Sequence, residues 1–123
     1  MTAVTLSDND MSVRLPAPAT IEMALAAMDV MRERLRQITD KGHTITDDDL
    51  CTQGELGSCA IAFIQAANAH EFGLSEDDLQ VFWPWEDPPF EPDEDRIRNL
   101  VKAAALILAE LERLARANAK GRE

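Results

Sequence analysis

The chain is poor in basic residues: Lys and Arg together number 12, against 23 Asp and Glu, so the formal charge is −11. Binding to nucleic acid depends on clustered cations that displace counterions, so this composition argues against general binding to DNA or RNA. It leaves a basic protein open as a partner. The chain also lacks any run of 18 apolar residues, and "MTAVTLSDNDMSVRL" at its start has no basic region followed by an apolar segment. We therefore expect neither a membrane span nor a signal peptide, and a cytoplasmic location.

Cysteine and histidine are scarce, with two of each. Cys51 and Cys59 fall in one predicted helix, about 12 Å apart along its axis, which is beyond disulfide reach. We therefore expect free thiols in a reducing compartment. Neither His43 nor His70 forms a close pair with a cysteine, so the sequence gives little support for a zinc site. No Ser or Cys has a context typical of an activated nucleophile, so nucleophilic catalysis is not indicated either.

A chain of 123 residues allows one domain with a modest core. Residues 1–17 are small, polar and acidic, and we predict a mobile segment there, followed by a helical domain over 18–119 and a tail at 120–123. No stretch has convincing period-two alternation. The predicted fold class is therefore all-α, a small bundle of three to four helices, and its apolar surplus favours self-association into a dimer or larger homo-oligomer.

Apolar spacing and capping signals place the helices. The first is predicted over 20–38 with Thr20 as its cap. Thr46 stands three residues before Asp49 in a capping-box arrangement, which predicts a second helix that continues to residue 70. Gly73 ends it. A short helical turn capped by Ser75 is expected next.

The last helix is predicted to begin near Asp93. Its apolar positions recur at three and four from Ile97 to Leu114, and residues 103–109 are apolar on all sides. This pattern predicts either a central position in the bundle or a place in a subunit interface.

Between the helices lies "FWPWEDPPFEP", residues 82–92, which holds both tryptophans, two of the four phenylalanines and four of the six prolines. Prolines at 84, 88, 89 and 92 forbid a regular helix there. The segment is either a strap packed over the helical core or one wall of a ligand pocket, and both roles can coexist. Flat side chains at Trp83, Trp85 and Phe90 could stack on a ligand ring.

Charged residues beside this segment suggest an anionic ligand. Arg98 and Lys102 lie four apart on the last helix, where two like charges favour an anion between or opposite them. That anion is either a carboxylate of this chain or a ligand phosphate. The block "ERLRQ", residues 33–37, is either a solvated face with its own charge pairs or part of the same site. The candidate ligand-binding residues are Trp83, Trp85, Phe90, Arg98, Lys102, Glu55, Asp48 and Arg36.

Acidic residues near the second predicted helix start have two interpretations. Capping and the helix dipole alone explain Asp47, Asp48 and Asp49. Alternatively, Asp48 shares a helix face with Glu55, about 10 Å along the axis, and these carboxylates contribute to a site. If any metal is bound, the ligands expected from the sequence are Asp48, Asp49 and Glu55.

Taken in order, the blocks "ERLRQ", "DDDLCTQGELGSCA", "WPW", "FEP" and "RNLVKAAALILAELERLAR" resemble an uncharacterised family of small proteins found mainly in phages and prophages. That family combines an E-R-x-R-Q helix, a D-D-x-H-x-x-G-E-L-A helix, a W-P-W segment and a closing L-V-K-A-x-A-L-I-x-A-E-I-E-R-L helix. The resemblance covers residues 31–116. Cys51 stands where the family often has His.

The same layout is more distantly similar to the all-α (MazG-like) nucleotide pyrophosphohydrolases. That resemblance implies an oligomeric helical bundle in which four carboxylates hold magnesium against a nucleoside triphosphate. Glu55 matches the last glutamate of the first motif, but Thr52 stands where its partner would be. Asn99 and Lys102 stand where the second motif has its acids. Because magnesium requires carboxylate oxygens, hydrolysis by the usual metal route is not expected.

The leading hypothesis is a phage or prophage accessory protein that sequesters a nucleotide, such as a host defence signal, without hydrolysing it and without a cofactor. Two alternatives belong to other classes. One is a surviving pyrophosphohydrolase with magnesium at Asp48, Asp49 and Glu55. The other is an acidic inhibitor that binds a basic host protein.

Overall fold

The computed structural model describes residues 4–8, 11–42 and 44–121, with the backbone alone for residues up to 15. Residues 1–3, 9–10 and 122–123 of the predicted terminal segments, and His43, lie outside the described residues. The described residues form two strands, β1 (Val4–Asp8) and β2 (Met11–Leu15), and six helices: α1 (Ile21–Thr39), α2 (Ile45–Asp49), α3 (Glu55–Ala67), α4 (Ala69–Phe72), α5 (Glu76–Gln80) and α6 (Arg96–Gly121).

The predicted all-α fold class is confirmed, because the long helices α1, α3 and α6 form the bundle and α6 packs against both of the others. Small residues, among them Ala60, Ala103, Ala105 and Ala109, are buried and let the helices approach closely. No helix in the described ranges is both long and apolar enough to cross a membrane.

The amino-terminal segment differs from the prediction that no strand forms. β1 and β2 pair antiparallel, with Val4 opposite Leu15 and Asp8 opposite Met11, and the pair contacts α1. This short hairpin precedes the bundle and adds no strand to its core.

Three predicted helix boundaries are confirmed by their caps. The Thr20 side chain accepts a hydrogen bond from the Met23 amide at the start of α1. Ser75 and Asp78 form a capping box on α5. Gly73 follows α4 with a φ of 65°, a left-handed conformation that favours glycine.

The second predicted helix is wrong in its start and in its continuity. Thr44 and Asp47 form the capping box of α2, two residues before the predicted pair. α2 ends at Asp49, and α3 begins only at Glu55, after Gly54 with a φ of 83°. Both registers satisfy the same Thr-x-x-Asp spacing, so the pattern alone could not choose between them. The Glu55 carboxylate accepts a hydrogen bond from the Gln53 amide within the break.

The strap, residues 81–95, crosses the bundle between α5 and α6 without regular helix, as its prolines predict. Two side-chain amides, one on each flanking helix, hold the backbone of its second half. Gln80 both donates to the carbonyl of Phe90 and accepts from its amide, each at 3.0 Å. Buried Asn99 makes the same two bonds with the backbone of Asp93, each at 2.9 Å. The strap is therefore anchored by specific hydrogen bonds as well as by apolar packing.

Candidate functional site

A cavity of about 330 Å³ lies between α1, α3, α6 and the strap. Its floor is apolar and comes from α3 and α6. One side is formed by charged and polar residues of α1, by Lys41 just after it and by Asp48 of α2, and another side by the strap. The lining residues are Glu33, Arg34, Arg36, Gln37, Lys41, Asp48, Leu56, Cys59, Phe63, Trp83, Trp85, Pro88, Pro89, Glu91, Lys102, Leu106 and Ala109.

Glu33 is the centre of the charged side. It is only 2% exposed and accepts hydrogen bonds from Arg36 Nε at 2.9 Å, from Arg36 Nη2 at 2.7 Å, from Gln37 and from Arg98. Burial by itself would raise the pKa of Glu33, but the hydrogen bonds from Arg36 and Arg98 outweigh it and hold that pKa below its ordinary value. One ionised carboxylate is thus shared by two guanidinium groups, which leaves this cluster with net positive charge.

Arg34 forms a second buried cluster next to the first. It is 4% exposed and donates to Asp48 at 2.7 Å and to Glu112 at 2.8 Å. Burial would lower the pKa of Arg34, but hydrogen bonds to Glu112 and Asp48 raise it above its ordinary value. Both charges of the Arg34 and Asp48 pair are buried, so each depends on the other for stability. We call Glu33, Arg34, Arg36 and Gln37 the charged wall.

The strap supplies an aromatic side to the cavity. Trp83 lies edge-on to Trp85, with ring centroids 5.2 Å apart, and tilted against Phe90 at 5.1 Å. The Trp83 indole N–H donates to the carbonyl of Pro88 at 2.9 Å, which fixes its orientation. Trp85 is 42% exposed and lines the cavity, so one indole remains accessible to a ligand.

Lys102 and Asn99 act together on the strap. Asn99 holds the Asp93 backbone, and the Lys102 ammonium lies 3.4 Å from the Asp93 carboxylate and 5.7 Å from the centroid of the Phe63 ring. The Asp95 amide and then Lys102 hold the pKa of Asp93 below its ordinary value. The two residues that stand in place of the acids in the resembled motif therefore have a structural role, which is to anchor the strap.

Five of the predicted ligand-binding residues line the cavity: Arg36, Asp48, Trp83, Trp85 and Lys102. Three do not. Phe90 is buried in a core cluster with Ala62 and Leu79. Arg98 lies behind Glu33 and pairs with it, and Glu55 caps the backbone beside α3. The two cations do not share one carboxylate of this chain, because Arg98 pairs with Glu33 and Lys102 with Asp93.

The sequence-based selection missed Glu33, Arg34, Gln37 and Lys41 on the charged side. Among residues 32 to 37, Leu35 alone is apolar. A helix that packs along its whole length must therefore bury charge or amide groups there, and this signal was available from the sequence. The interpretation of the block as a solvated face is wrong for its buried members, although the pair of Glu33 and Arg36 at i,i+3 is present.

The alternative metal ligands do not converge. Asp48 pairs with Arg34, Asp49 with Arg116 at 2.8 Å, and Glu55 with the Gln53 amide. Among the side chains that the structure describes, those of residues 16–42 and 44–121, no group of three or more His, Cys, Asp and Glu is placed to hold a metal ion.

Both cysteines are free, as predicted, although the single helix behind that prediction is not formed. Cys59 lies on the cavity floor, where burial raises the pKa of its thiol to about 12. Burial also raises the pKa of Cys51. Neither thiol therefore has the lowered pKa of an activated nucleophile.

Comparisons of this chain with known protein families, with curated proteins and with solved structures found no match. The resemblance to phage proteins and to MazG-like pyrophosphohydrolases consequently depends on the quoted blocks alone.

Proposed function

We propose that this chain binds a nucleotide in the cavity between the charged wall and the strap and holds it without hydrolysis. The observation that carries this proposal is the pairing of an accessible indole, Trp85, with a cationic cluster around Glu33 across one cavity. Four cationic residues, Arg34, Arg36, Lys41 and Lys102, and three acidic ones, Glu33, Asp48 and Glu91, line the cavity, so in a chain with a net charge of −11 this lining is a local exception to the acidic surface. A ligand with both a flat ring and a negative charge can stack on the indole and pair with the cations.

Stacking on the strap would supply much of the binding free energy. A base that stacks on an aromatic side chain contributes about 1 to 3 kcal/mol. Trp83 is held in place by its bond to Pro88, and Trp85 packs edge-on against it. The aromatic surface is therefore preorganised, which lowers the entropic cost of binding.

The arrangement of carboxylates supports retention over cleavage. A hydrolase of the resembled type needs several carboxylates around magnesium, whereas Asp48 is engaged by Arg34 and Asp49 by Arg116. The positions of the second acidic motif are occupied by Asn99 and Lys102, which hold the strap. On the resemblance to phage and prophage proteins, we propose that retention serves to sequester a host nucleotide signal.

We also propose that the chain forms a homo-oligomer through the outer face of α6. Five large aliphatic side chains are exposed there: Ile97, Leu100, Ile107, Leu111 and Leu114. Their spacing places them on one helix face about 26 Å long, and that face carries no charge. Native mass spectrometry of the freshly purified protein should report a dimer or larger species together with any retained ligand. Leu111→Glu should give monomer, and a wild-type monomer at every concentration would contradict this part.

Isothermal titration calorimetry with a panel of mono-, di-, tri- and cyclic nucleotides tests the binding proposal. We expect binding at micromolar protein and a loss of about tenfold or more in affinity for Trp85→Ala. Phe82→Ala is the matched control, because Phe82 is similarly exposed but does not line the cavity. No heat with any nucleotide would overturn the proposal, and magnesium-dependent release of phosphate or pyrophosphate would overturn retention without cleavage.

A further inference from the structure

The cations around the cavity differ in how fully they are paired. Arg34 is bound by two carboxylates and Lys102 by one. Arg36 uses Nε and Nη2 on Glu33, which leaves Nη1 without a hydrogen-bond acceptor in the described part of the chain. Lys41 lines the cavity, is exposed, and has no ion pair with any described residue. The groups with capacity to bind a ligand anion are therefore Arg36 and Lys41.

These two groups lie at one place in the fold. Lys41 directly follows the end of α1, and its amide donates to the carbonyl of Arg36 at 3.3 Å. Both residues face the same cavity as Trp85. The anion-binding end of the site is thus at the carboxyl end of α1, and the cations on α6 are committed to Glu33 and Asp93.

The size of the cavity limits the ligand. About 330 Å³ is at the lower end of the roughly 300 to 1,000 Å³ of small-molecule sites. One ring, one sugar and a short charged group suit this space. Two linked nucleotides require more room.

The charge of the site sets a second limit. A phosphate monoester carries about −1.5 to −2 at pH 7, which two available cations match. Each further phosphate adds negative charge next to Glu33, Asp48 and Glu91, in a chain that is already strongly acidic. Among the described side chains no group of His, Cys, Asp and Glu is placed to hold a cation that would offset this charge, so the added charge opposes binding.

We infer that the ligand is a nucleoside monophosphate, with its phosphate bound by Lys41 and Arg36 and its base against Trp85. This inference rests on the proposed nucleotide-binding function and narrows it to one class of nucleotide. It also places the phosphate on α1, away from Arg98 and Lys102.

Calorimetry with adenosine, AMP and ATP, and with the guanosine series, on wild type and Lys41→Gln tests the inference. We expect AMP or GMP to bind more tightly than its nucleoside and its triphosphate. Lys41→Gln should weaken monophosphate binding about tenfold and leave nucleoside binding unchanged. Lys120→Gln removes the same charge at a residue outside the cavity and should change neither affinity.

The outcomes separate the two proposals. If no nucleoside or nucleotide binds, the proposed function itself fails. If triphosphates or cyclic dinucleotides bind more tightly than monophosphates, the ligand class is wrong while nucleotide binding stands. Equal losses for nucleoside and monophosphate in Lys41→Gln would overturn the placement of the phosphate.

Discussion

The two sides of the cavity are held in place by different physics. The charged wall is held by buried ion pairs, in which Glu33 and Arg34 are almost fully removed from solvent. The strap is held by two amide clamps, Gln80 and Asn99, and by aromatic packing. Buried ion pairs cost desolvation and contribute little net stability, but they are expensive to break and they fix geometry. The charged wall should therefore be sensitive to loss of a single charge, and the strap should tolerate changes at its exposed positions.

Removing the Arg34 charge should have the largest effect. Arg34→Met keeps much of the side-chain volume but leaves Asp48 buried without its partner, so the free energy of unfolding should fall by about 3 to 5 kcal/mol. Arg96→Met removes an exposed arginine and should cost less than about 1 kcal/mol. Urea unfolding measures both. Equal losses would show that the Arg34 pair is no more important than a surface pair.

The strap should divide into a structural and an accessible part. Phe90→Leu removes ring volume from a buried cluster and should lower the free energy of unfolding by about 2 kcal/mol. Trp85→Leu alters a half-exposed ring and should cost less than about 1 kcal/mol, while weakening nucleotide binding. The same urea titrations and calorimetry measure the two effects. If Trp85→Leu lowered the free energy of unfolding more than Phe90→Leu does, the strap would serve only as a lid over the core.

The fold was largely predictable where local signals were unambiguous. Thr20 and Ser75 mark helix starts because their hydroxyls accept from free amides of the first turn. The start of α2 was not predictable, since Thr44 and Thr46 each stand three residues before an aspartate and both fit the capping-box pattern. The break before α3 was also missed, because only the positive φ of Gly54 distinguishes it from a tolerated helical glycine.

The site was less predictable, and α1 explains why. Its first half buries Ala24 and Met28, as apolar periodicity requires, but its second half buries Glu33 and Arg34 while Leu35 is 48% exposed. Periodicity assumes that the apolar face is the buried one. Here the partners Asp48, Glu112 and Arg98, which are distant in sequence, decide which face turns inward. The exposed indole of the strap was found because tryptophan beside proline is conspicuous in any sequence.

Acidification should affect the charged wall through Glu33. Its pKa is lowered in the folded chain, so its contribution to stability is fully present above the ordinary glutamate pKa of about 4.3 and is lost as pH falls through the folded value. The difference in unfolding free energy between wild type and Glu33→Gln should stay constant from pH 7 to about pH 5 and shrink below that. A constant difference down to pH 3 would contradict the lowered pKa.

The smallest effect should be at Cys59, which lies on the cavity floor between the two sides. Burial, and then the neighbouring Cys51 and Glu55, raise the pKa of this thiol to about 12. The thiolate is the reactive form, so at pH 8 only about one molecule in ten thousand is reactive there, whatever the access to the thiol. Alkylation of the Cys51→Ser variant should therefore be very slow and should rise about tenfold per pH unit, whereas Cys59→Ser should react faster through half-buried Cys51.

Because Cys59 faces the cavity, a bound nucleotide should slow its alkylation further and leave that of Cys51 unchanged. Protection of both thiols would instead indicate a general loss of local opening, and rapid alkylation of Cys59 would show that the two sides of the cavity do not exclude solvent from its floor.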